Sequence, residues 1–338
     1  MHSPAPRRGG PAVPLKVRVT FLPDTPGEWV NVTLMAAVGR PRTPAGRMPH
    51  RPASTIGPVR RQATVTLRGL LGAAHPGPTV AVTVLAGLIA IAAELSLWRG
   101  ALVILVVLLG QLSIGWSNDW LDATRDAQVG RRDKPVAAGA VSAELVATAA
   151  RVAVVAAVVS SLALGWRAAV AHTVLVACGW AYNLGLKSSV WSWGPYALAF
   201  GVLPAVVTLS RTDAASPAAW AVAAGALLGV GAHLTNVLPD LDDDRATGVR
   251  GLPHRLGRRL TGMLAAGALF AASAAIALGP TGSPTAAALV GLGVAAVLAA
   301  VAAAAAARAG SRLPFTAAVL IALVDVALLV ASGSAVIA

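Results

Sequence analysis

The chain has few of the residues that stabilise water-soluble domains through surface charge and covalent cross-links. Only 12% of its 338 residues are charged, whereas 56% are hydrophobic, and it contains a single cysteine, Cys178. One cysteine cannot form an intramolecular disulfide, and inside an apolar run it is most simply a small buried side chain. The low charged fraction excludes a soluble domain of ordinary composition. The sequence therefore predicts an all-helical, polytopic membrane protein.

Acidic residues are scarce and unevenly distributed. The chain has 14 Asp and Glu against 27 Lys and Arg, which gives a formal net charge of +13. Eight of the 14 acids fall within residues 119–133 and 240–244. A function that needs carboxylates is therefore expected in these two short stretches.

The basic excess comes mainly from the N-terminal segment. Residues 1–78 hold 11 Lys or Arg against two acids, a net charge of 11 − 2 = +9. Residues 1–70 combine Pro, Arg and Gly without a pattern that could bury a core, so we expect a disordered, basic, cytoplasmic tail before a membrane domain at 71–338. The tail could contact anionic membrane lipids, or it could be a solvated leader or the product of a start codon placed too early. No motif supports nucleic-acid binding.

Nine apolar runs in the second segment are long enough to span a bilayer. They lie at residues 79–98, 100–121, 141–164, 166–185, 190–209, 216–238, 259–279, 284–308 and 312–336. The loops after every second run carry 12 Lys or Arg, against three in the opposite loops. Because positive loops stay inside, this pattern predicts a multi-pass protein of the cell membrane with a cytoplasmic N-terminus and an external C-terminus.

Asn118, Asp122 and Asp126 follow the second apolar run at intervals of four residues. On a helix this spacing places the three side chains on one face, since each step of four advances only about 40° beyond a full turn. Neighbouring carboxylates repel one another and are costly beside lipid, so we expect cations between them. Hard oxygen ligands of this kind suit Mg²⁺, which usually completes its shell with water and substrate phosphates.

The same spacing recurs in Asn236, Asp240 and Asp244, at a constant offset of 236 − 118 = 118 residues. Gly130 and Gly248 follow the two copies at the same interval of four residues. Each glycine is followed by basic residues, which are Arg131 and Arg132 in the first copy and Arg250 in the second. One acidic run could be a solvated face, but two copies at the ends of two apolar runs favour a functional site.

Two carboxylate motifs rimmed by cations and open to lipid suit a substrate with a diphosphate head and a hydrocarbon tail. Bound Mg²⁺ would neutralise both the carboxylates and the head, and would make diphosphate a better leaving group from an allylic carbon. The positive-inside pattern places both motifs at the cytoplasmic edge, so we expect the site to open to the cytoplasm.

The order of these motifs resembles the UbiA superfamily of intramembrane prenyltransferases. The resemblance covers about residues 70–336 and rests on four stretches, which are Asn118-Asp119-x2-Asp122-x3-Asp126, Arg132-Asp133-Lys134-Pro135, Tyr182-x4-Lys187, and Asp240-x3-Asp244 with Gly248-Val249-Arg250. It implies a helical bundle of nine spans around a central cavity. It also implies that Mg²⁺ and a polyprenyl diphosphate lie between the two motifs, and that the prenyl group is transferred to a lipophilic acceptor, often aromatic in the family.

The resemblance also implies roles for individual residues. The expected metal ligands are Asn118, Asp122, Asp126, Asn236, Asp240 and Asp244, and the four aspartates among them are the expected catalytic residues. The expected diphosphate-binding residues are Lys187, Tyr182, Arg132, Lys134 and Arg250. Lys134 stands where the family most often has arginine before proline. His233 could line the acceptor pocket or could be an ordinary packing residue.

Two other functions remain compatible with the same motifs. A cyclase would ionise the diphosphate in the same way and then close the cation on itself instead of transferring it. A transporter is the alternative from another class, because repeated halves and polar groups within the membrane also mark those proteins. The clustering of acids at one membrane edge, with metal-ligand spacing, favours the enzymes.

Overall fold

The computed structural model describes residues 66–246, 248–306, 308, 311 and 313–338. These residues form helices and turns without strands, apart from one isolated bridge between Pro217 and Ile337. The all-helical prediction is therefore confirmed for the described part of the chain. The predicted tail lies almost wholly outside it, and its role stays a prediction.

Eleven α-helices follow one another in the described residues. They are α1 Thr66–Ala73, α2 Pro76–Ala92, α3 Leu97–Gln128, α4 Ala143–Ser161, α5 Trp166–Leu184, α6 Gly194–Thr208, α7 Ala219–Val237, α8 Leu241–Ala246, α9 Leu252–Leu278, α10 Ala286–Ala305 and α11 Leu313–Ala331. Three short 3-10 helices extend or join them, at Leu162–Leu164, Leu186–Ser188 and Gly333–Val336.

Five of these helices are long and apolar enough to cross a bilayer, with mean hydropathy from 1.3 in α7 to 2.4 in α10. They are α3, α4 with its 3-10 extension, α7, α9 and α10, and α1 with α2 would make a sixth span if the pair, bent by 63°, is counted as one. The protein is therefore a multi-pass membrane protein. The predicted count of nine spans is not confirmed, because some apolar runs form helices as short as α6, with 15 residues.

One face of α4 shows how the bundle meets lipid. Val152, Val155 and Val159 lie on successive turns of this helix, and each is more than 60% exposed. Valines would be costly at this exposure in water, but they are suited to contact with acyl chains. The surface of the helix thus agrees with a membrane environment.

The helices pack as a closed bundle. Along the chain α2 contacts α3, α3 contacts α4 and α5, α5 contacts α6, α6 contacts α7, α7 contacts α9, and α9 to α11 pack in order, after which α11 returns to α2. Small residues permit the closest approaches: a Cβ atom on Gly229 of α7 would lie 2.3 Å from the Tyr196 carbonyl oxygen of α6. Packing of this kind is typical of helices that associate within lipid.

α3 extends well beyond the apolar run that predicted it. The run ends at residue 121, whereas the helix continues to Gln128 and has 32 residues, about 48 Å of rise. The polar stretch between the second and third runs, residues 122–140, therefore becomes a loop only at Val129. The seventh run was expected from residue 259, and this agrees with the structure, because non-helical backbone at Gly257 (φ 77°) separates a short helical segment from Leu252 and the long part of α9. Hydropathy misplaced the end of α3, because this helix continues where its polar side chains find partners in the bundle.

The elbow between α1 and α2 presses against α3. The Trp116 indole Nε1 donates to the Leu70 carbonyl oxygen at 2.9 Å, and a Cβ on Gly115 would lie 2.3 Å from the Ala74 carbonyl oxygen. Residues 66–70, which we expected to lack structure as part of the tail, are thus helical, because they have α3 to pack against. The elbow also carries His75, in a left-handed conformation with φ 51°.

Candidate active site

The first aspartate motif lies on the inner face of the last turns of α3. Asp122 and Asp126 are buried, and the Asn118 Nδ2 donates to Asp122 Oδ2 at 3.1 Å. As the spacing predicted, the three side chains follow one another along one helix. Because Asp122 and Asp126 are both buried, the helix face that carries them points into the bundle.

Two cations of the protein lie directly on these carboxylates. The Lys187 ammonium, from the 3-10 helix after α5, forms an ion pair with Asp122. The Arg125 guanidinium lies 3.0 Å from Asp122 Oδ2 and 3.6 Å from Asp126 Oδ1. The positive charge that the carboxylates require is thus supplied by the chain itself in this structure.

Lys134 approaches the same motif from the loop after α3. Its Nζ lies 3.1 Å from Asn118 Oδ1 and 3.8 Å from Asp119 Oδ1. A further contact of 2.8 Å reaches the His75 Nε2, which must accept, because an ammonium group has only donors. Burial lowers the pKa of Lys134, and the Asp119 carboxylate opposes this effect.

Two carboxylate oxygens of this region have no hydrogen-bond partner among the described residues. They are the buried atoms Asp119 Oδ1 and Asp126 Oδ2. A buried acceptor without a partner costs roughly 1–3 kcal/mol, and more when it is charged. Such oxygens suit a hard cation like Mg²⁺.

The donor set also fits the way Mg²⁺ is commonly held. Within the described part of the chain, no three or more His, Cys, Asp or Glu converge to form a complete metal site. Mg²⁺ seldom needs such a cage, because one or two carboxylates, waters and substrate phosphates fill its shell. The residues present therefore fit Mg²⁺ that binds together with a phosphate ligand.

The second motif is built differently from the first. Asn236 ends up exposed in the last turn of α7, Asp240 lies in the turn that follows, and Asp244 is on the short helix α8. A break in the helix therefore separates residues that share one face in the first copy. The equal sequence spacing does not produce equal geometry.

Both motifs nevertheless end in the same backbone structure. The Arg131 N–H donates to the Asp126 carbonyl oxygen, and the Val249 N–H donates to the Asp244 carbonyl oxygen, each at 2.9 Å. The glycine before each donor is left-handed, with φ 71° at Gly130 and 84° at Gly248. Both hydrogen bonds belong to Schellman caps, in which a left-handed residue follows the end of a helix. The repeat in the sequence therefore corresponds to a repeat in the backbone structure after the third aspartate of each motif.

Charged contacts join the two motifs across the site. Arg131 Nη1 lies 3.6 Å from Asp240 Oδ2, and the same guanidinium binds Asp133 through two contacts of 2.9 Å. This fork holds the pKa of Asp133 down at about 2. Because Arg131 follows the first motif and Asp240 belongs to the second, both motifs face one space.

Asp244 lies at the inner side of the second motif. Its Oδ2 is 3.3 Å from the Nε2 of His254, although the two groups are not aligned as a hydrogen bond. Burial raises the pKa of Asp244, whereas nearby His254 and Arg125 act in the opposite direction. The influence of Arg125 on Asp244 is a second link between the motifs.

The predicted diphosphate-binding residues are only partly brought together. Lys187 and Lys134 lie against the first motif, as described above. Arg132 and Arg250 are exposed, and among the described contacts neither side chain reaches a motif carboxylate. Their roles stay predictions.

An aromatic cluster lies below the charged groups and consists of Tyr182 on α5, Tyr196 on α6 and His233 on α7. The ring centroids are 5.1 Å apart for the two tyrosines, and the His233 ring is 5.7 Å from Tyr182 and 5.0 Å from Tyr196. The chain has only two tyrosines, and both belong to this cluster. The cluster thus packs α5, α6 and α7 together close to Lys187, which follows Tyr182 by five residues.

Asn183 and Arg125 are site residues that the sequence did not predict. Asn183 donates to the Ile114 carbonyl oxygen at 2.9 Å and to Ser117 Oγ at 2.8 Å, and it accepts from Asn118 at 3.2 Å. It thereby fixes the first motif against α5. A signal existed, since Asn183 is a polar residue at the end of an apolar run, four positions before Lys187. Arg125 lies between the second and third apolar runs and was predicted only as one of the 12 basic loop residues.

The described residues thus form a helical membrane bundle in which two acidic motifs and several cations come together. The UbiA prenyltransferase family matches residues 80–322 of the chain. The chain therefore belongs to the UbiA prenyltransferase family.

Comparisons with individual proteins agree with this assignment. The bacteriochlorophyll synthase 33 kDa chain of Cereibacter sphaeroides is 34% identical over 193 residues, 51% of this chain and 61% of that relative. The match thus spans less than two thirds of that relative's length.

Solved structures show the same fold. A UbiA homolog from Archaeoglobus fulgidus bound to GPP and Mg²⁺ has a TM-score of 0.59 at 13% identity, covering 79% of this chain and 99% of the other. The same homolog bound to DMAPP and Mg²⁺ has a TM-score of 0.60 at 14% identity, covering 78% and 99%. A structure of digeranylgeranylglyceryl phosphate synthase has a TM-score of 0.58 at 15% identity, covering 80% and 98%.

Proposed function

We propose that this protein is an integral membrane prenyltransferase that ionises an allylic polyprenyl diphosphate with Mg²⁺ and transfers the prenyl group to a lipophilic, aromatic acceptor. Family membership supports the class of reaction, and the fold is shared with a homolog that binds GPP or DMAPP with Mg²⁺. The observation that carries the proposal is the convergence of Lys187 and Arg125 on Asp122, beside the unpartnered oxygen of Asp126.

The carboxylates and amides of both motifs would hold the metal. The proposed ligands are Asn118, Asp122, Asp126, Asn236, Asp240 and Asp244. When bound, Mg²⁺ would neutralise the diphosphate and make it a better leaving group. The buried, unpartnered oxygen of Asp126 supports the first motif's part in this site, and the contact between Arg131 and Asp240 supports a second motif close to it.

Basic side chains would bind the diphosphate itself. Lys187 and Lys134 already lie at the motif, and Arg132 and Arg250 follow the two glycines at the rim, with Tyr182 beneath them. Because Asp122 has two cationic partners, Lys187 can turn to a phosphate oxygen while Arg125 still covers the carboxylate. Fixed positive charge of this kind stabilises the negative charge that develops on a leaving diphosphate.

The aromatic cluster would protect the allylic end of the substrate. Tyr182 precedes Lys187 by five residues and His233 precedes Asn236 by three, so the rings lie deeper in the bundle than the charged groups, and we place the first carbons of the prenyl chain beside them. Aromatic faces attract cations and exclude water, so Tyr182 and Tyr196 suit a transient allylic cation. The acceptor carbon would then attack this cation and lose a proton.

The proposal includes an arrangement in the membrane. Nine spans, a cytoplasmic N-terminus and an external C-terminus would place both motifs at the cytoplasmic face, where soluble Mg²⁺ and pyrophosphate can exchange. The loop cations after the second, fourth, sixth and eighth runs support this orientation. The prenyl chain and the acceptor would enter from the membrane lipids.

The reaction can be tested with purified protein in detergent. With labelled geranyl diphosphate, host lipid extract and Mg²⁺, we expect release of pyrophosphate and a labelled product that is heavier than its acceptor by one prenyl group. In the presence of EDTA, we expect neither pyrophosphate nor this product. A labelled hydrocarbon of the prenyl chain's own mass would instead indicate cyclisation. No release of pyrophosphate by correctly folded protein would refute the enzyme and favour transport.

A further inference from the structure

Arg151 lies on the lipid-facing side of α4. Arg151, Val155 and Val159 follow one another at intervals of four residues, and all three are exposed. This interval places them on one face of the helix, so the arginine lies at the end of a stripe whose valines suit contact with acyl chains. A charged side chain in such surroundings needs a partner of opposite charge.

The protein supplies only an aromatic partner for this charge. The guanidinium carbon of Arg151 lies 4.8 Å from the centroid of the Trp120 ring on α3, and among the described residues the side chain has no ion pair or hydrogen bond. Glu144, the nearest acid along the same helix, is about 10.5 Å away in helix rise. Stacking on the ring uses the face of the guanidinium group and leaves its N–H donors free for an anion.

The contact between Arg151 and Trp120 lies at the membrane interface. Trp120 is at the end of the second apolar run, residues 100–121, and tryptophan is typical of the level where hydrocarbon meets the lipid headgroups. The long apolar stem of an arginine lets its charged end reach the same level. The anions available there are the phosphate groups of the membrane lipids.

An open groove continues from Trp120 towards the end of α3. It has a volume of about 790 Å³ and lies between the last turns of α3 and the stretch 136–143. Thr124 and Ala127 line it, and they share a helix face with Trp120 because they follow it at intervals of four and three residues. The aspartates of the first motif lie on the opposite, buried face of α3, so the groove is separate from the candidate active site.

The lining of the groove distinguishes between classes of headgroup. Among the described residues that line it none is charged, whereas Thr124, Gln128 and Ser142 carry groups that form hydrogen bonds. No carboxylate in the lining could pair with the ammonium group of a choline or ethanolamine headgroup. Hydroxyl groups of a headgroup would instead find partners there.

We propose that this groove, with Arg151 at its membrane end, binds one anionic phospholipid whose headgroup carries hydroxyl groups, as phosphatidylglycerol does. The guanidinium group donates two parallel hydrogen bonds to the phosphate while Trp120 holds its plane. The glycerol headgroup lies in the groove, and the acyl chains lie along Val155 and Val159. The bound lipid thereby joins α4 to α3 two residues before Asp122, and this inference does not depend on the proposed prenyl transfer.

Native mass spectrometry of the full chain in a neutral detergent tests this proposal by counting bound lipids during titration. The probes are phosphatidylglycerol and phosphatidylcholine with the same acyl chains, and we expect the first phosphatidylglycerol to bind more tightly than the first phosphatidylcholine. Arg151→Gln should weaken the binding of that phosphatidylglycerol by about tenfold, which corresponds to the loss of a hydrogen-bonded charge. Arg151→Lys should recover part of the affinity, since an ammonium group cannot form the two parallel bonds.

Two further variants separate a built site from general attraction to a positive membrane edge. Arg259, on α9 at the end of the bundle that carries the second motif, is also exposed, and Arg259→Gln should change the affinity by less than about twofold because an isolated surface charge is screened. Thr124→Trp, which fills the groove and leaves Arg151 in place, should weaken phosphatidylglycerol binding as Arg151→Gln does.

Several results would overturn the proposal. One is equal loss of affinity in Arg151→Gln and Arg259→Gln, and another is wild-type affinity in Arg151→Gln or in Thr124→Trp. Displacement of phosphatidylglycerol by an excess of inorganic phosphate would identify a soluble anion as the ligand instead of a lipid. Equal affinity for the two lipids would show that the groove does not select the headgroup.

Discussion

Removal of the Lys187 charge should weaken the handling of diphosphate without unfolding the protein. The side chain is 12% exposed and forms an ion pair with Asp122, which keeps Arg125 as a partner at 3.0 Å when the lysine is lost. Lys187→Met preserves the apolar stem and leaves no carboxylate unpaired. The cost to folding should therefore be small, about 1 kcal/mol, in the range of one ordinary hydrogen bond.

The expected effect on catalysis is much larger. Two unit charges about 4 Å apart interact by about 4 kcal/mol at an effective dielectric constant of about 20, which suits a partly buried site. Since about 1.4 kcal/mol corresponds to a factor of ten, loss of the ammonium should lower kcat/KM for the prenyl diphosphate by about 10² to 10³. Lys187→Arg, which restores the charge with different geometry, should recover part of this loss.

The measurement is the rate of pyrophosphate release at varied geranyl diphosphate, at a fixed amount of lipid extract, for wild type, Lys187→Met and Lys187→Arg. The half-saturating amount of extract should stay nearly constant across the three proteins. A kcat/KM of Lys187→Met within about twofold of wild type would show that the lysine is only a cationic anchor at the membrane edge.

Three further predictions concern the caps, the topology and the tail. Gly130→Ala should lower the free energy of unfolding by about 1 kcal/mol, because φ is 71° at this residue; the added Cβ has open space, so only the backbone conformation is strained. Gly267→Ala, in the interior of α9 and also with open space, is the control and should be neutral or stabilising. Thermal unfolding in detergent measures both. A reporter fused after Leu186 should stay cytoplasmic while one fused to Ala338 is exported, and matching signals would refute the orientation. Deletion of residues 1–60 should leave pyrophosphate release intact, since no motif lies there, and loss of release in a correctly inserted truncation would contradict this.

The sequence predicted the first motif well because its geometry is local. Asn118, Asp122 and Asp126 share one continuous helix, so spacing alone determines which face they occupy. The second motif has the same spacing, but α7 ends at Val237, because Pro239 lies inside the motif, lacks a backbone N–H and disfavours helical backbone at the residue before it. The same spacing of Asn and Asp therefore predicted the geometry of the first motif correctly and that of the second motif only in part.

Contacts between residues far apart in the sequence escaped prediction. Asn183 contacts Asn118 across 65 positions, and Lys134 contacts His75 across 59. No periodicity records such pairs, since packing of α1, α3 and α5 creates them. The number of spans was uncertain for a related reason, because a helix such as α6, with only 15 residues, depends on its neighbours more than on its own hydropathy.

The central claim is that the two aspartate motifs act together on one diphosphate. The most direct test compares pyrophosphate release from geranyl diphosphate by Asp122→Asn, Asp240→Asn and the double variant. Asp213→Asn, at an exposed carboxylate paired with Arg211, serves as the control and should keep the wild-type rate. Each single motif variant should lose at least about 10³ in rate, and the double variant should lose no more than the worse single one, because groups that act as a unit are not additive. A wild-type rate in either single variant, or losses that multiply in the double variant, would contradict a shared site.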